Sequence, residues 1–115
     1  MAYTRKLLYD IIRTFDSSEL SGTYLALGTA LTHNCSIVKL VNNSASLVSV
    51  STDGVNDMDI LPGNSFVLYD VTSDSPPESG SIFIKEGTQY YVKGSAGTGL
   101  IYLVTLYVQQ TPAPQ

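Results

Sequence analysis

The sequence is 115 residues long, with 43 % hydrophobic residues, 14 % charged residues and a formal net charge of −4. This length corresponds to one domain and is sufficient to bury a core without metal or disulfide support. The acidic balance leaves no basic patch that could neutralise a run of phosphates, which excludes the usual nucleic-acid-binding classes.

Scarce charges and abundant tyrosines give a first indication of a role. Charged residues are about half as frequent as in a typical soluble domain, and the chain has eight tyrosines. Lys and Glu are depleted, and Tyr is enriched, at the cores of protein interfaces. The composition therefore favours a surface that neighbouring proteins cover. A plain β domain with a Ser- and Thr-rich exposed face has the same composition.

The sequence also bears on the compartment. Cys35 is the sole cysteine, which excludes an internal disulfide and fits synthesis in a reducing cytoplasm. The N-terminal residues MAYTRKLLYD reach an aspartate before the apolar core of a signal peptide can form. The longest apolar run, Leu100 to Val108, is about half the length of a membrane-spanning helix. We therefore expect a soluble protein without a cleavable secretion signal or a membrane partner.

The segment from Tyr3 to Leu20 fits two periodicities. Helical spacing joins one apolar set, namely Leu8, Ile11, Ile12 and Phe15. Strand alternation joins a second set, namely Leu7, Tyr9, Ile11, Arg13 and Phe15. Isoleucine and threonine, together with the β character of the rest of the chain, favour a first strand or an extended arm over residues 1–16.

The stretch from Ser36 to Leu61 predicts a meander of strand, turn, strand, turn and short strand. Apolar and small polar residues alternate over 37–41 and again over 47–51, so each strand has one dry and one wetter face. The run Asn42, Asn43, Ser44 and the pair Asp53, Gly54 are placed at the reversals, because Asn, Asp and Gly suit turn conformations.

The flanking segments predict further short strands. They cover residues 23–27, 65–71, 81–85, 89–93 and 100–108. In the strand at 65–71, Phe66 and Leu68 lie on one face, and Val67, Tyr69 and Val71 lie on the other. Residues 72–80 form an exposed loop, residues 94–99 (GSAGTG) a hairpin loop, and residues 109–115 a flexible Pro-rich tail. The strand at 100–108 is apolar throughout, which predicts a mid-sheet position with both faces buried.

Eight or nine short strands with a turn signal about every 8 to 12 residues are typical of a β-sandwich. We therefore predict an all-β fold: a single small antiparallel β-sandwich over residues 17–108, jelly-roll or immunoglobulin-like. The arm over residues 1–16 precedes this domain, and the tail over residues 109–115 follows it.

No pattern in the chain carries a convincing catalytic or metal site. His33 and Cys35 are two apart, but no second histidine exists to complete a base or a metal set. Asp53, Asn56, Asp57 and Asp59 are dense enough for calcium, but their spacing is not that of a helix–loop–helix site. GSAGTG lacks the Lys-Ser/Thr ending of a phosphate loop. We predict no catalytic residue, no cofactor, no metal and no enzyme activity.

The tyrosines are the better candidates for function, because an exposed aromatic on a rigid sheet is a well-ordered contact. Tyr90 and Tyr91 must face opposite sides of their strand, so at least one of them is at a surface. The predicted interface residues are Tyr3, Tyr9, Arg13, Phe15, Tyr90, Tyr91, Tyr102 and Tyr107.

Several segments together resemble a family of small structural proteins from the virions of tailed bacteriophages. They are Tyr24 with Leu27, Gly28 and Thr29, then SIVKLVNNS, STDGVNDMDILPG, SFVLYDVTS and KEGTQYYVKGSAGTG. The resemblance covers the chain from about Leu7 to Val108, and its motifs are turn and strand signatures without catalytic content. It implies a β-sandwich present in many copies at the head, neck or tail of the particle.

The resemblance implies a homo-oligomer that also contacts portal, adaptor, tail or capsid subunits. It implies localisation in the virion after synthesis in the host bacterial cytoplasm. Unpaired sheet edges, the arm and the tail would make the contacts, and removing residues 1–16 would abolish assembly while the sandwich stays folded. Capsid decoration is one alternative. A carbohydrate- or receptor-binding module using Tyr91, and a small hydrolase using Asp53 and His33, are the others.

Overall fold

The computed structural model describes residues 3–72 and 82–112. The strands of this part of the chain are β1 (Tyr3–Tyr9), β2 (Arg13–Asp16), β3 (Leu25–Ala26), β4 (Cys35–Ser44), β5 (Val48–Ser51), β6 (Asp59–Leu61), β7 (Ser65–Asp70), β8 (Tyr91–Gly94) and β9 (Gly99–Pro112). A single turn of 3-10 helix, Ser17–Glu19, follows β2. None of the described segments is a helix long and apolar enough to cross a membrane.

The strands form two antiparallel sheets that pack together. The large sheet has the order β1-β9-β4-β7, with β2 pairing on β9 beside β1, and the small sheet has the order β3-β8-β5-β6. Seven fully buried apolar side chains fill the space between them: Leu27, Val38, Leu40, Val48, Val92, Ile101 and Leu103. The predicted all-β sandwich is confirmed.

Strand β9 is the centre of the large sheet. It pairs with β4 along 99–107, with β2 along 100–103 and with β1 along 106–112, so its predicted mid-sheet position is confirmed. The expected burial of both its faces is wrong. Ile101 and Leu103 point into the core, whereas Leu100 is 36 % exposed and Val104 is half-buried on the outside, because no further layer covers that face among the described residues.

The N-terminal segment forms strands, as favoured over a helix, but it is more than an arm. Arg13 and Phe15 of β2 are 3 % and 8 % exposed, so β2 belongs to the sandwich itself. The last strand also runs farther than expected, to Pro112, because residues 109–112 pair with 3–6. Beyond Tyr107, β1 is the one strand of the described residues that pairs with β9. This two-stranded ribbon lengthens a molecule that measures 54 × 23 × 20 Å.

The predicted meander from Ser36 to Leu61 divides between the two sheets. Strand β4 belongs to the large sheet, whereas β5 and β6 form a hairpin in the small sheet. Asn42, Asn43 and Ser44 lie within β4, so the turn predicted there is wrong, and the chain bends at residues 45–46 instead. The turn at Asp53 and Gly54 is confirmed within the loop that joins β5 to β6.

Asn42 explains why a turn-like sequence became a strand end. Its side chain is fully buried, and its amide group donates to the carbonyl oxygens of Ser46, Leu61 and Pro62 at 2.7, 3.1 and 3.1 Å. The Ser44 hydroxyl donates to the Asn42 side-chain oxygen at 2.6 Å. Asn42 therefore holds the crossing between the sheets instead of capping a local turn.

The GSAGTG segment also crosses between sheets, from β8 to β9, so its prediction as a hairpin loop is wrong. Gly99 has a φ of 114°, and a Cβ there would lie 2.1 Å from the carbonyl oxygen of Asn43, which only glycine permits. Of the strand predicted at 81–85, Ser81 lies outside the described residues and Ile84 makes an isolated bridge to Cys35. Most of the loop predicted at 72–80 also lies outside the described residues.

Candidate assembly surface

The outer face of the large sheet is a broad apolar surface. Directly paired residues share a face, so the register aligns Phe66, Val41 and Tyr102 in one row across β7, β4 and β9. Ile37, Leu106 and Tyr9 form another row across β4, β9 and β1. The apolar members of this outer face are Leu7, Tyr9, Ile37, Val41, Phe66, Leu68, Leu100, Tyr102, Val104, Leu106 and Val108.

Several of these side chains are strongly exposed in the single chain. Tyr9 is 74 % exposed, Phe66 65 % and Leu68 50 %. The charged residues that the register places on the outer face are Arg5, Asp16, Lys39 and Asp70. Contiguous apolar patches of more than a few hundred Å² are rare on proteins that function alone. The outer face is therefore the candidate surface of this chain for a contact with another protein.

The outer face is not flat. Beside Phe66 it has a hollow of about 220 Å³, whose walls include Val41 and Tyr102 and the polar residues 42–43 and 64–65. A hollow flanked by two aromatic rings can receive an apolar side chain from a neighbouring molecule, as anchor pockets at protein interfaces do.

A buried polar cluster joins the ribbon to the body of the sandwich. The Asp10 carboxylate, whose side chain is 6 % exposed, accepts hydrogen bonds from the Thr32 hydroxyl at 2.6 Å and from the Ile11 amide at 2.8 Å. It also lies 3.6 Å from the Arg13 guanidinium and 3.5 Å from His33 Nδ1. Burial by itself raises the pKa of Asp10, but these hydrogen bonds and the positive charge of Arg13 outweigh it and lower the pKa to about 2.

Two further contacts complete this cluster: Arg13 donates hydrogen bonds to backbone carbonyl oxygens, and the His33 ring stacks on a tyrosine. Arg13 donates to the carbonyl oxygens of Thr29, Ala30 and Ile11 at 2.7, 2.9 and 3.0 Å. The His33 ring stacks on Tyr107 of β9, with centroids 3.7 Å apart and planes 4° from parallel. The cluster thus fastens the loop around residues 29–33 to the base of the ribbon, and every group in it already has a structural partner.

The structure separates the predicted interface residues into three groups. Arg13, Phe15 and Tyr90 pack within the chain, at 3 %, 8 % and 6 % exposure, and their assignment to an interface stays a prediction. Tyr9 and Tyr102 lie on the outer face. The other three are distributed elsewhere: Tyr107 under His33, Tyr91 on the small sheet, and Tyr3 in β1 opposite Pro112.

Tyr91 and its surroundings form a separate, more polar surface on the small sheet. The Tyr91 ring packs against Gly54, where an added Cβ would lie 3.5 Å from it. Nearby, Lys93 lies 4.7 Å from the centre of the Tyr24 ring and 3.0 Å from the Asp57 carboxylate. The Tyr24 hydroxyl donates to Asp57, and burial together with this carboxylate raises the pKa of Tyr24 to about 12. The polar groups here satisfy one another.

The residues considered for chemistry do not converge. Asp53 accepts hydrogen bonds from the amides of Val55 and Asn56, both at 2.8 Å, and these lower its pKa. Asp59 binds the Tyr69 hydroxyl, while Asp57 binds Lys93. Within residues 3–72 and 82–112, no three His, Cys, Asp or Glu side chains lie close enough together to hold a metal ion.

Cys35 is buried beside His33 but is not aligned with it as a nucleophile. The thiol is fully buried and donates to the His33 carbonyl oxygen at 3.3 Å. Burial raises its pKa, which favours the unreactive thiol over the thiolate. His33 itself stacks on Tyr107, so the arrangement serves packing.

Phe66 and Leu68 are the surface residues that the sequence-based interface prediction missed. The alternation of β7 had already placed them together on one face, and that face proves to be the exposed one. Apolar residues on both faces of this strand were the available signal, whereas its position at the edge of a sheet came only from the structure.

Comparisons with known proteins show no family for this chain. No family model matches it, and no solved structure matches it. The chain is 22 % identical over 122 residues to a multifunctional alkene reductase/demethylase from Caballeronia cordobensis. The match covers 96 % of this chain but only 18 % of that protein, so the chain spans about a fifth of the length of the curated relative.

Proposed function

We propose that this chain is a structural protein of the virion of a tailed bacteriophage, assembling in multiple copies in the head–neck–tail region. The observation that carries the proposal is the apolar outer face of the large sheet. The phage assignment comes from the resemblance of the strand and turn segments between Leu7 and Val108. In this proposal the chain has no catalytic activity and binds no cofactor.

The energetics of the outer face support an assembling subunit. Burial of apolar surface contributes about 25 cal/mol per Å², and a stable interface covers roughly 800 Å² on each partner. A face with this apolar content and few charges can be covered without desolvating many ions. In a ring or lattice, every copy covers its neighbour's outer face, and closed symmetry ends the association.

The ribbon supports the same role. It carries Leu7, Tyr9 and Val108 at 47 %, 74 % and 41 % exposure, and two-stranded ribbons are only marginally stable without further packing. Contact with a neighbouring subunit would supply that packing. Leu7 and Val108 continue the apolar rows of the outer face onto the base of the ribbon, so both can be covered by the same assembly.

The test of the virion role is to look for the chain in particles. Tailed particles from a lysate that contains this protein are purified on a density gradient and analysed by quantitative mass spectrometry. We expect the protein in the particle fraction at several copies per particle. Its absence from particles, with the protein recovered only in the soluble fraction, would overturn the proposal.

Native mass distinguishes the two positions within the virion that this proposal covers. Light scattering over a concentration series gives the mass of the purified protein. A closed ring of about six or twelve copies favours a place on the head–neck–tail axis. A monomer or trimer favours decoration of the capsid, where the lattice supplies the order.

A further inference from the structure

Strand β7 lies at an edge of the large sheet within the part of the chain that the structure describes. Among the described residues it pairs with β4 alone. One hydrogen bond shows which residues of β7 point their backbone groups toward β4: the Val71 amide donates to the Ser36 carbonyl oxygen at 2.8 Å. Because backbone groups alternate in direction along a strand, Val67 and Tyr69 also face β4. The amide and carbonyl groups of Phe66 and Leu68 therefore face away from the sheet, along its open edge.

This edge lacks the usual protection. Proteins defend sheet edges with lysine, proline, bulges or very short strands. The sequence of β7, SFVLYD, has no Lys, Arg or Pro, and its register with β4 is unbroken over Asn42 to Ile37. The other edge strands are different. Strands β2, β3 and β6 are four, two and three residues long, and β1 carries Arg5 and Lys6.

We propose that β7 pairs with β7 of a second copy of this chain, antiparallel and about a two-fold axis at Val67, so that two large sheets become one. This inference rests on the proposed function and identifies one of its contacts. In this register Phe66 lies opposite Leu68 of the second copy, and the two residues exchange backbone hydrogen bonds. The two-fold axis produces this Phe66–Leu68 pair twice. Between the two pairs, Val67 lies opposite Val67 of the second copy.

The side chains of β7 favour a copy of itself in this register. Phe66 and Leu68, 65 % and 50 % exposed, come together as apolar cross-strand pairs on the outer face. Asp70 falls opposite Asn64 of the second copy, so no two carboxylates face each other. A shift by one residue would set outer faces against inner faces. A shift by two would place Asp70 opposite Phe66 in one direction and Leu68 opposite Asn64 in the other.

The pairing would also join the two outer faces. Phe66 and Leu68 lie beside Val41 and Lys39 in β4, so the apolar rows of one copy would continue into those of the other. A single unbroken surface would then be available to a further protein layer.

Disulfide trapping tests the register. In the proposed pairing Val67 and its counterpart form a non-hydrogen-bonded pair, whose Cα atoms lie about 4.5 Å apart, within the range that a disulfide spans. We expect the Val67→Cys variant to become a covalent dimer under mild oxidation, seen on a non-reducing gel. The matched Leu68→Cys variant should give at least tenfold less dimer, because its thiols would be too far apart to bond. The native Cys35 is buried and does not compete. Equal cross-linking of both variants, or none of Val67→Cys, would overturn the proposal.

A proline substitution tests the backbone contact independently. The Leu68→Pro variant removes an amide that faces the open edge and none that bonds β4, a position where edge strands accept proline. We expect its dimer to dissociate at a concentration at least tenfold higher than that of the Leu68→Ala control, with thermal melting confirming that both fold. Equal dissociation would overturn the β7 contact.

The two proposals fail separately. If particles contain the protein and Val67→Cys remains monomeric, the virion role stands and the β7 contact is overturned. If Val67→Cys dimerises specifically and particles lack the protein, the β7 contact stands and the virion role is overturned.

Discussion

Asp10 and Arg13 connect parts of the chain that are distant in sequence. Arg13 reaches the carbonyl oxygens of residues 29–30, and Asp10 reaches the Thr32 hydroxyl and His33. These contacts replace the water that each ion loses on burial, which is what makes burial of the pair tolerable. The sequence placed Arg13 on a strand face but could not show its acceptors, because they come from an irregular loop.

Replacing Arg13 should destabilise the fold strongly. The Arg13→Ala change leaves three carbonyl oxygens without their donor and removes the positive charge beside the buried Asp10 carboxylate. We therefore expect the free energy of unfolding to fall by about 3 to 5 kcal/mol. Urea denaturation measures it. The neighbouring Thr14→Ala change, at an exposed position, should stay within about 0.5 kcal/mol. Similar losses for the two variants would contradict the assigned role.

The hydrogen bonds of Asn42 at the crossing between the sheets can be tested by a substitution that hardly changes the shape of the side chain. In the Asn42→Asp variant the amide that donates to Ser46, Leu61 and Pro62 becomes a carboxylate, which cannot donate at neutral pH. We expect a loss of about 3 kcal/mol in the free energy of unfolding. The control is Asn43→Asp, one residue along on the exposed side, for which little change is expected. Denaturant melts of both variants provide the comparison, and an unaffected Asn42→Asp would contradict the role.

Acid should weaken the attachment of the ribbon through Asp10. Its pKa of about 2 in the folded chain lies below the ordinary 3.8, so its contribution to stability is present above about pH 4 and is lost as the pH falls toward 2. Between pH 5 and pH 2 the wild-type free energy of unfolding should fall by about 2 kcal/mol more than that of Asp10→Asn. Urea titrations at each pH measure this, and parallel pH profiles would show that Asp10 contributes nothing.

At the scale of elements, the sequence predicted strands better than their sheets. Alternation in 37–41, 48–51 and 65–70 identified three strands, because each has one face on the core. Alternation carries no information on which sheet a strand joins, so the crossing after β4 was read as a local turn. Phe15 illustrates a second limit, since it fitted both the helical and the strand period until its pairing with Ile101 decided the matter.

The separation between ribbon and body leads to a truncation experiment. Removing residues 1–8 takes away most of β1, which within residues 3–72 and 82–112 pairs with β9 alone. We therefore expect a folded domain with a cooperative thermal transition. Removing residues 1–16 also deletes Arg13 and Phe15 from the interior, so we expect it to unfold, contrary to the sequence-based expectation for that deletion. Circular dichroism melts distinguish these results. A folded 17–115 fragment would show that β2 is dispensable.

At the scale of the whole molecule, the two sheets differ in what their outer surfaces offer. The large sheet presents the apolar outer face, whereas the small sheet presents residues such as Ser49 and Lys93. The alternation of β7 and β9 predicted apolar residues on both faces of the large sheet. The alternation does not show that the outer face lacks a covering layer within the chain. An apolar strand face has the same sequence pattern whether the chain itself or another chain covers it.

A matched pair of charge substitutions tests which surface mediates assembly. Val104→Glu on the outer face and Ser49→Glu on the small sheet each place the new carboxylate opposite a lysine, Lys39 and Lys93 respectively. Because each new carboxylate lies opposite a lysine, we expect the two substitutions to affect the stability of the single chain to a similar extent. We expect Val104→Glu to weaken self-association at least tenfold, because a charge enters an apolar interface, and Ser49→Glu to leave it unchanged. Light scattering over a dilution series measures both, and the reverse order would move the interface to the small sheet.

The ribbon also determines how the molecule would respond to mechanical force. Tyr3 and Pro112 lie opposite each other at its tip, so a neighbour pulling these two strands apart would break their hydrogen bonds one pair after another, at low force. A neighbour pulling β9 alone along its axis, with β4 held in place, would load all the bonds between residues 99 and 107 together in shear. In the proposed assembly, contacts that engage one strand of the ribbon would therefore resist load better than contacts that engage both.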